Sequence, residues 1–231
     1  MTRRLIAAID TPDLARAQAL VREVAPHCGL VKIGLEFFLR HGPEGYHAAT
    51  HGAGADVFLD LKLHDIPNTV AGAVRSLLPL APKFLTIHAG GGAKMVAAAA
   101  LQAALGGDNR PKILAVTVLT SFDADGLAET GITGGTTRQV LRLAGLALEA
   151  GADGLICSPH EIEILRDKFG EKPILVVPGI RPLGSELGDQ ARVMTPERAI
   201  AAGADYIVVG RPITEAAVPG AAAAKIAKSI Q

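Results

Sequence analysis

Hydrophobic residues in this chain form short runs that alternate with longer, alanine-rich amphipathic stretches. The short runs have the length and the Val, Ile and Leu content of β-strands, and they lie at 5–9, 30–34, 57–62, 84–88, 112–119, 154–158, 174–177 and 206–210. The stretches between them predict helices, and early prolines mark helix starts at Pro12, Pro67, Pro159 and Pro196. Regular alternation of strand and helix is typical of a parallel sheet.

A short repeat supports this organisation. The segments GAGADVFLD, EAGADGLIC and AAGADYIVVG each pass from a helix end through Gly-Ala-Asp into a strand, and the glycine suits the left-handed conformation that ends many helices. Eight such units in 231 residues predict an α/β fold, a (β/α)8 TIM barrel that forms a single domain over residues 1–231. An open doubly wound sheet is the alternative, but the G-x-G-x-x-G expected after its first strand is missing.

Composition narrows the function classes. Hydrophobic residues make up 49% of the chain and its mean hydropathy is +0.31, which is sufficient for a large core. Lys plus Arg and Asp plus Glu balance at 23 each, so we expect neither a nucleic-acid binder nor a membrane binder. Cys28 and Cys157 lack C-x-x-C spacing and are expected to be buried, reduced thiols of a cytoplasmic protein. The first apolar run stops at Asp10, too early for a secretion signal.

Charged residues stand inside the third predicted strand. Because side chains of a strand alternate between its faces, Leu59, Leu61 and Leu63 share the face that packs on the helices. Asp60 and Lys62 then point into the barrel, roughly 7 Å apart along the strand. A half-exposed surface ion pair is the alternative interpretation of Asp-x-Lys.

Two neighbouring strands end in the same way. Lys32 lies between the outward-facing residues of the second strand, and Asp10 closes the first. Asp10, Lys32, Asp60 and Lys62 therefore meet at the carboxyl end of the barrel, where active sites of this fold lie. Buried charges are costly unless they are paired, so we interpret the four as a network that holds an ammonium group in a fixed place. Asp65 adds a negative charge just beyond the strand.

The other end of the chain offers an anion site. Gly210 and Arg211 follow the last strand, and loops in this position of a barrel often bind phosphate. The long segment 178–195 suggests a lid from which Arg181 and Gln190 reach a substrate. A plain glycine turn with a surface arginine is the alternative. No His, Cys and carboxylate cluster has metal-ligand spacing, and His64 is expected to be structural.

The stretch DLKLHDIPNTV resembles the signature of the orotidine 5′-phosphate decarboxylase family. The resemblance runs nearly from end to end, is nearest to the compact bacterial form, and includes VLTS, PGIRP, DQARVMTP and VVGRPIT at 118–121, 178–182, 189–196 and 208–214. D-x-K-x-x-D alone is shared by a wider superfamily, whereas its combination with the other segments is specific. Leu63 stands where many relatives have an aromatic residue, on the outward face.

The resemblance implies decarboxylation of orotidine 5′-monophosphate to uridine 5′-monophosphate, the last step of UMP biosynthesis, without a metal or cofactor. It also implies a cytoplasmic homodimer with sites at the subunit interface. By resemblance, Lys62 is the proton donor to C6, Asp60 lies beside the departing carboxylate, and Asp65 and Thr69 serve the partner subunit's site. The resemblance also implies that Lys32 and Asp10 contact the ribose and belong to the charge network, and that Thr120 contacts the pyrimidine. It implies that the lid and phosphate contacts are made by Arg181, Gln190, Gly210 and Arg211.

Two other functions compete. Keto-sugar-phosphate decarboxylases and hexulose-phosphate synthases of the same superfamily share D-x-K-x-x-D, but they use Mg²⁺ held partly by a carboxylate at the end of the second strand. Lys32 occupies that position here and would repel the metal. A barrel that only binds a phosphorylated ligand would keep Gly210 and Arg211, but it would have no need for alternating charges.

Overall fold

The protein is described by a computed structural model that covers residues 3–183 and 194–231. Eight parallel strands pair in chain order and close into a barrel, with β1 next to both β2 and β8. They are β1 (Leu5–Ile9), β2 (Leu30–Gly34), β3 (Asp56–Leu63), β4 (Phe84–His88), β5 (Lys112–Val116), β6 (Gly154–Ile156), β7 (Ile174–Val177) and β8 (Tyr206–Val209). The predicted TIM barrel is confirmed, although β5 and β6 end before the predicted 119 and 158.

Helices follow the strands and cover the barrel. They are α1 (Leu14–Val24), α2 (Leu35–Thr50), α3 (Pro67–Leu77), α4 (Ala93–Ala104), α5 (Ala124–Glu129), α6 (Gly135–Glu149), α7 (Ile162–Phe169), α8 (Pro196–Ala201), α9 (Arg211–Thr214) and α10 (Pro219–Ser229). Pro67 and Pro196 open their helices as predicted, and Pro159 opens a 3-10 turn before α7. The prediction for Pro12 was wrong, because Asp13 caps α1 by accepting the Arg16 N–H at 2.6 Å.

Side chains of the strands separate into two apolar layers. Inside the barrel lie Ile6, Ala8, Leu30, Phe58, Phe84, Leu114, Val176 and Val208. Val31, Ile33, Leu59 and Leu61 belong to the layer between strands and helices. Lys32 and Asp60, which alternate with them, therefore point inwards, as the sequence predicts.

The end of β3 leaves the regular ladder. Leu59 pairs with Leu85 of β4, but Leu63 pairs with Ile87, so four steps along β3 match two steps along β4. Within this bulge Lys62 has a φ of 50°, a left-handed conformation that costs a residue with a side chain about 1–2 kcal/mol. Bulges often redirect a side chain beside an active site, and this one redirects Lys62.

The repeated Gly-Ala-Asp junctions lie at the opposite, amino end of the strands. Their glycines, Gly54, Gly151 and Gly203, all have positive φ, which confirms the predicted left-handed position. The following aspartates of two junctions form tight ion pairs: Asp153 with Arg110 at 2.6 Å, and Asp205 with Arg166 at 2.7 Å. These pairs connect each junction to a neighbouring part of the barrel wall.

Candidate active site

Four charged side chains form a continuous chain at the carboxyl ends of β1, β2 and β3. Lys32 Nζ lies 3.0 Å from Asp10 Oδ1 and 3.5 Å from Asp60 Oδ2. Lys62 Nζ donates to both oxygens of Asp60, at 2.8 and 2.9 Å. Lys32 and Asp60 are 9% and 8% exposed, so the centre of the network is buried inside the barrel and is not a surface ion pair, whereas the side chains of Asp10 and Lys62 reach solvent.

The two buried members of this network are strongly coupled. Burial acts to raise the pKa of Asp60, but the charges of Lys32 and Lys62 outweigh it and hold that pKa below its ordinary value. Burial acts to lower the pKa of Lys32, but Asp10 and Asp60 outweigh it and raise that pKa. Both groups are therefore ionised at neutral pH, and each stabilises the charge of the other.

A cavity of about 510 Å³ opens above this network, a size usual for small-molecule sites. Its wall brings together most of the predicted site residues, namely Asp10, Lys32, Asp60, Lys62, Thr120, Arg181, Gly210 and Arg211. Apolar side chains from the barrel interior, including Phe58 and Val208, complete the wall nearest the charges. The same cavity therefore contains the charge network with its apolar surroundings and a second group of cations, Arg181 and Arg211.

That second group lies at the carboxyl ends of β7 and β8. Arg211 is the first residue of the short helix α9, directly after Gly210. Arg181 follows β7, where its Nη1 donates to the Ile180 carbonyl at 2.9 Å. Glu215 also lines the cavity here. Arginine presents several donors in a planar fork, which suits a phosphate group.

Two predicted residues, Asp65 and Thr69, do not lie in this cavity wall, and the placement of a third, Gln190, is not described. Asp65 is exposed, and its Oδ1 accepts the Ile66 N–H at 2.6 Å. Thr69 lies exposed in the first turn of α3. Gln190, with most of the predicted lid, lies outside the described residues.

Two histidines border the network on the β4 side. The ring centroids of His64 and His88 are 5.3 Å apart. Burial, together with the nearby His64 and Lys62, lowers the pKa of His88 below its ordinary value, which favours the neutral imidazole. No role for His88 could be predicted from the sequence, since a histidine that ends a strand is not distinctive by itself.

Several other expectations concern residues outside the network. Both cysteines are free and buried, as predicted, and burial raises the pKa of the Cys28 thiol to about 12. Across residues 3–183 and 194–231, no group of three or more His, Cys, Asp or Glu is arranged to hold a metal. Over the same ranges, none of the helices has the length and apolar character needed to cross a membrane.

Comparisons with known proteins agree with this geometry. A family model described as "Orotidine 5'-phosphate decarboxylase / HUMPS family" matches residues 3–226. An orotidine 5′-phosphate decarboxylase of Anaeromyxobacter sp. (strain K) is 52% identical over 229 residues, which are 99% of each chain. One of Thermobifida fusca is 51% identical over 231 residues, covering 100% of this chain and 97% of the relative.

Solved structures give the same result. The crystal structure of an orotidine 5′-phosphate decarboxylase from Lactobacillus acidophilus aligns with a TM-score of 0.88 and 38% identity, over 99% of both chains. The named relatives and this structure do not favour the Mg²⁺-dependent alternative. With its barrel, its charged carboxyl-terminal rim and a match that spans nearly its whole length, this chain belongs to the orotidine 5′-phosphate decarboxylase / HUMPS family.

Proposed function

We propose that this protein decarboxylates orotidine 5′-monophosphate to uridine 5′-monophosphate, the last step of UMP biosynthesis, without a metal or cofactor. The observation that carries the proposal is the ammonium of Lys62, held by both oxygens of Asp60 at the floor of a cavity with two arginines in its wall. The names of the similar proteins point to the same substrate.

The cavity suggests how the substrate lies. The phosphate binds Arg181 and Arg211 and approaches the backbone at Gly210, with Gln190 assisting from the predicted lid. The pyrimidine then lies over Lys62 and Asp60, with Thr120 at its edge, since these residues line the same cavity. Asp10 and Lys32 contact the ribose.

The proposed decarboxylation requires a cation beside C6 of the pyrimidine. When the bond between C6 and the carboxylate breaks, its electron pair stays on C6 in the ring plane, and CO2 leaves. The Lys62 ammonium stabilises this charge and then donates its proton to C6, which gives the product and a neutral amine. Asp60, itself flanked by Lys32, fixes the ammonium before the reaction begins, so little reorganisation is needed during the step.

The electrostatics of Lys32 disfavour the Mg²⁺-dependent alternative. Its ammonium fills the space between Asp10 and Asp60, and both carboxylates are already neutralised by lysine. A divalent cation placed here would have to displace an ion pair that is buried inside the barrel. The charge network is therefore better suited to metal-free decarboxylation.

We further propose a homodimer in which Asp65 and Thr69 complete the partner's site. Their exposure, outside the cavity wall of their own chain, supports this arrangement. Ile66, between them, is 66% exposed, and a large exposed apolar side chain beside a functional loop suits an interface.

We also propose a cytoplasmic location for the protein. Its two free cysteines support this location, because the cytoplasm keeps thiols reduced.

The ultraviolet absorbance of orotidine 5′-monophosphate tests the proposal. Purified protein should remove the orotate band and form uridine 5′-monophosphate at the same rate with and without EDTA. No loss of the band would exclude this activity. A loss that EDTA abolishes would instead favour a metal-dependent reaction and overturn the interpretation of Lys32.

A further inference from the structure

Thr86 is a fully buried polar residue in the middle of β4. Its neighbours Leu85 and Ile87 belong to the layer under the helices, so the Thr86 side chain points into the barrel. There its Oγ1 makes two hydrogen bonds of 2.9 Å each: one joins it to Asp60 Oδ1, and the other joins it to the backbone N–H of Lys62. Thr86 does not line the cavity.

The direction of both hydrogen bonds follows from the chemistry of the partners. The N–H of Lys62 can only donate, so the threonine oxygen accepts from it. An ionised carboxylate can only accept, so the single hydroxyl proton goes to Asp60. The one proton of the hydroxyl is thus committed to Asp60, which fixes the rotation of the hydroxyl.

These bonds close a ring. Lys62 donates its backbone N–H to Thr86, Thr86 donates to Asp60, and Asp60 accepts from Lys62 Nζ. The ring spans the bulge in which β3 loses its regular pairing with β4 and Lys62 adopts a φ of 50°. The threonine hydroxyl therefore takes the place of a ladder acceptor for the strained residue, and it also orients the carboxylate that holds the lysine's ammonium.

We propose that Thr86 is a positioning residue of this site, whose hydroxyl fixes the Lys62 ammonium relative to the substrate by holding both its backbone and its counter-ion. The proposal rests on the proposed function and extends it to a residue that touches no substrate. It assigns to β4 a part in chemistry that is otherwise carried by β1, β2 and β3.

A consequence for pH dependence follows. Lys32 and Lys62 pair directly with Asp60, and His88 interacts with it electrostatically from the end of β4. Asp10 contacts this group only through Lys32. The Thr86 hydroxyl adds a hydrogen bond that favours the ionised carboxylate. Without it the pKa of Asp60 rises, so protonation of Asp60 releases Lys62 at a higher pH than in the wild type.

The test compares Thr86→Val, which keeps the shape and removes the hydroxyl, with Thr86→Ser, which keeps the hydroxyl. Loss of a hydrogen bond to a charged group corresponds to about a 10- to 100-fold change, so Thr86→Val should lower kcat by that factor. KM should change little, and the acid limb of the kcat profile should move to higher pH. Thr86→Ser should restore most of kcat and the wild-type limb.

A control separates positioning from packing. Thr117→Val also deletes a buried threonine hydroxyl, but that hydroxyl donates only to the Ile156 carbonyl at 3.1 Å. It should affect thermal stability without moving the acid limb. Wild-type kcat and acid limb in Thr86→Val, or equal damage from Thr86→Ser and Thr86→Val, would overturn the proposal.

A second measurement does not depend on the substrate. The carboxyl ¹³C shift of Asp60, titrated by NMR without ligand, should report a higher pKa in Thr86→Val than in the wild type or in Thr86→Ser. An unchanged value would refute the positioning role even if the wild type decarboxylates its substrate. Conversely, the expected shift in a protein that leaves orotidine 5′-monophosphate intact would refute the substrate and retain the role of Thr86.

Discussion

At the scale of single residues, the site concentrates unfavourable features around Lys62. Its backbone lies in the left-handed region, and its ammonium depends on a carboxylate that is almost wholly buried. Such features persist where the surrounding structure compensates for them, and they cluster at functional sites. The conformation of Lys62 therefore supports a role in chemistry over a role in stability.

Substitutions of Lys62 separate the contribution of its ammonium to activity from the cost of its left-handed backbone to stability. Lys62→Ala should lose more than about 10³-fold in turnover while remaining folded, since a positioned acid contributes about 10²–10⁴-fold and the proposed mechanism also places this ammonium against the charge on C6. Lys62→Gly should be equally inactive but more stable than Lys62→Ala by about 1 kcal/mol, because glycine accepts positive φ. Urea unfolding measures the difference.

Ala81 provides the control for this comparison. It is exposed, has a φ of 46° and lies before β4, at the amino end of the barrel. Ala81→Gly should stabilise the protein by a similar amount, about 1 kcal/mol, and should keep full activity. Equal stability of Lys62→Gly and Lys62→Ala would contradict the assigned strain.

Substitution of Arg211 tests the proposal that this end of the cavity binds the phosphate. Arg211→Ala should lower kcat/KM for orotidine 5′-monophosphate by about 10- to 100-fold or more, mainly through KM, since each charge-assisted hydrogen bond contributes about 1.5–3 kcal/mol. The effect should largely disappear with orotidine, which lacks the phosphate. An equal loss with both substrates would assign Arg211 to the fold and not to phosphate binding.

At the scale of elements, the two ends of the strands have different tasks. The carboxyl ends carry the charge network, and the amino ends carry the arginine–aspartate pairs of the Gly-Ala-Asp junctions. Arg166 shows the second task best: it reaches from α7 to Asp205, and it donates to the carbonyls of Gly170, Pro173 and Gly203. Such contacts fasten the turns that precede β7 and β8.

Arg166→Met should therefore destabilise the protein and leave its chemistry unchanged. We expect a loss of about 2–4 kcal/mol in the free energy of unfolding, because Asp205 and three carbonyls lose a partner. The kcat of the folded fraction should match the wild type. Lys83→Met, which removes an exposed pair 3.8 Å long with Asp56, should change stability by less than about 0.5 kcal/mol. Comparable losses in both variants would contradict the role of Arg166.

Elements with a regular pattern could be predicted from the sequence. Alternation in β2 and β3 correctly gave the inward direction of Lys32 and Asp60, because burial leaves a strand one choice of face. The end of β5 could not be predicted, since Val118 is as buried as the strand residues but lies where the chain has left the ladder. Apolar character records burial and not backbone pairing.

Thr86 was missed for a related reason. A threonine between Leu85 and Ile87 fits a strand by propensity alone, so nothing in the local sequence marks it as functional. The available signal was its inward direction, which alternation already implied. Its partners remained hidden, because the bulge that brings the Lys62 N–H to its hydroxyl has no distinctive sequence.

At the scale of the whole molecule, the proposed dimer determines whether a single chain is sufficient for catalysis. The cavity wall of one chain contains Lys62 but neither Asp65 nor Thr69. An active site built from two copies makes activity depend on association, and closed two-fold symmetry would generate two equal sites.

Mixing two inactive variants tests this arrangement. If Asp65 acts across the interface, Lys62→Ala and Asp65→Asn chains form heterodimers with one intact and one doubly damaged site. Random reassociation of equal amounts should then restore about one quarter of wild-type activity. If Asp65 acts within its own chain, every site stays damaged and no activity returns. Mixing Lys62→Ala with a chain that carries both substitutions is the negative control.

The balance of the four charges in the site has a consequence for the whole catalytic cycle. Two carboxylates and two ammonium groups leave the resting network neutral. If Lys62 delivers its proton to C6, the network ends each turnover one proton short and must be recharged from water. The Lys62 side chain is 38% exposed, against 11% for Lys32, so it is the member of the pair that solvent reaches. In deuterium oxide the uridine nucleotide should therefore carry deuterium at C6. This label would show that the proton transferred to C6 comes from solvent through Lys62.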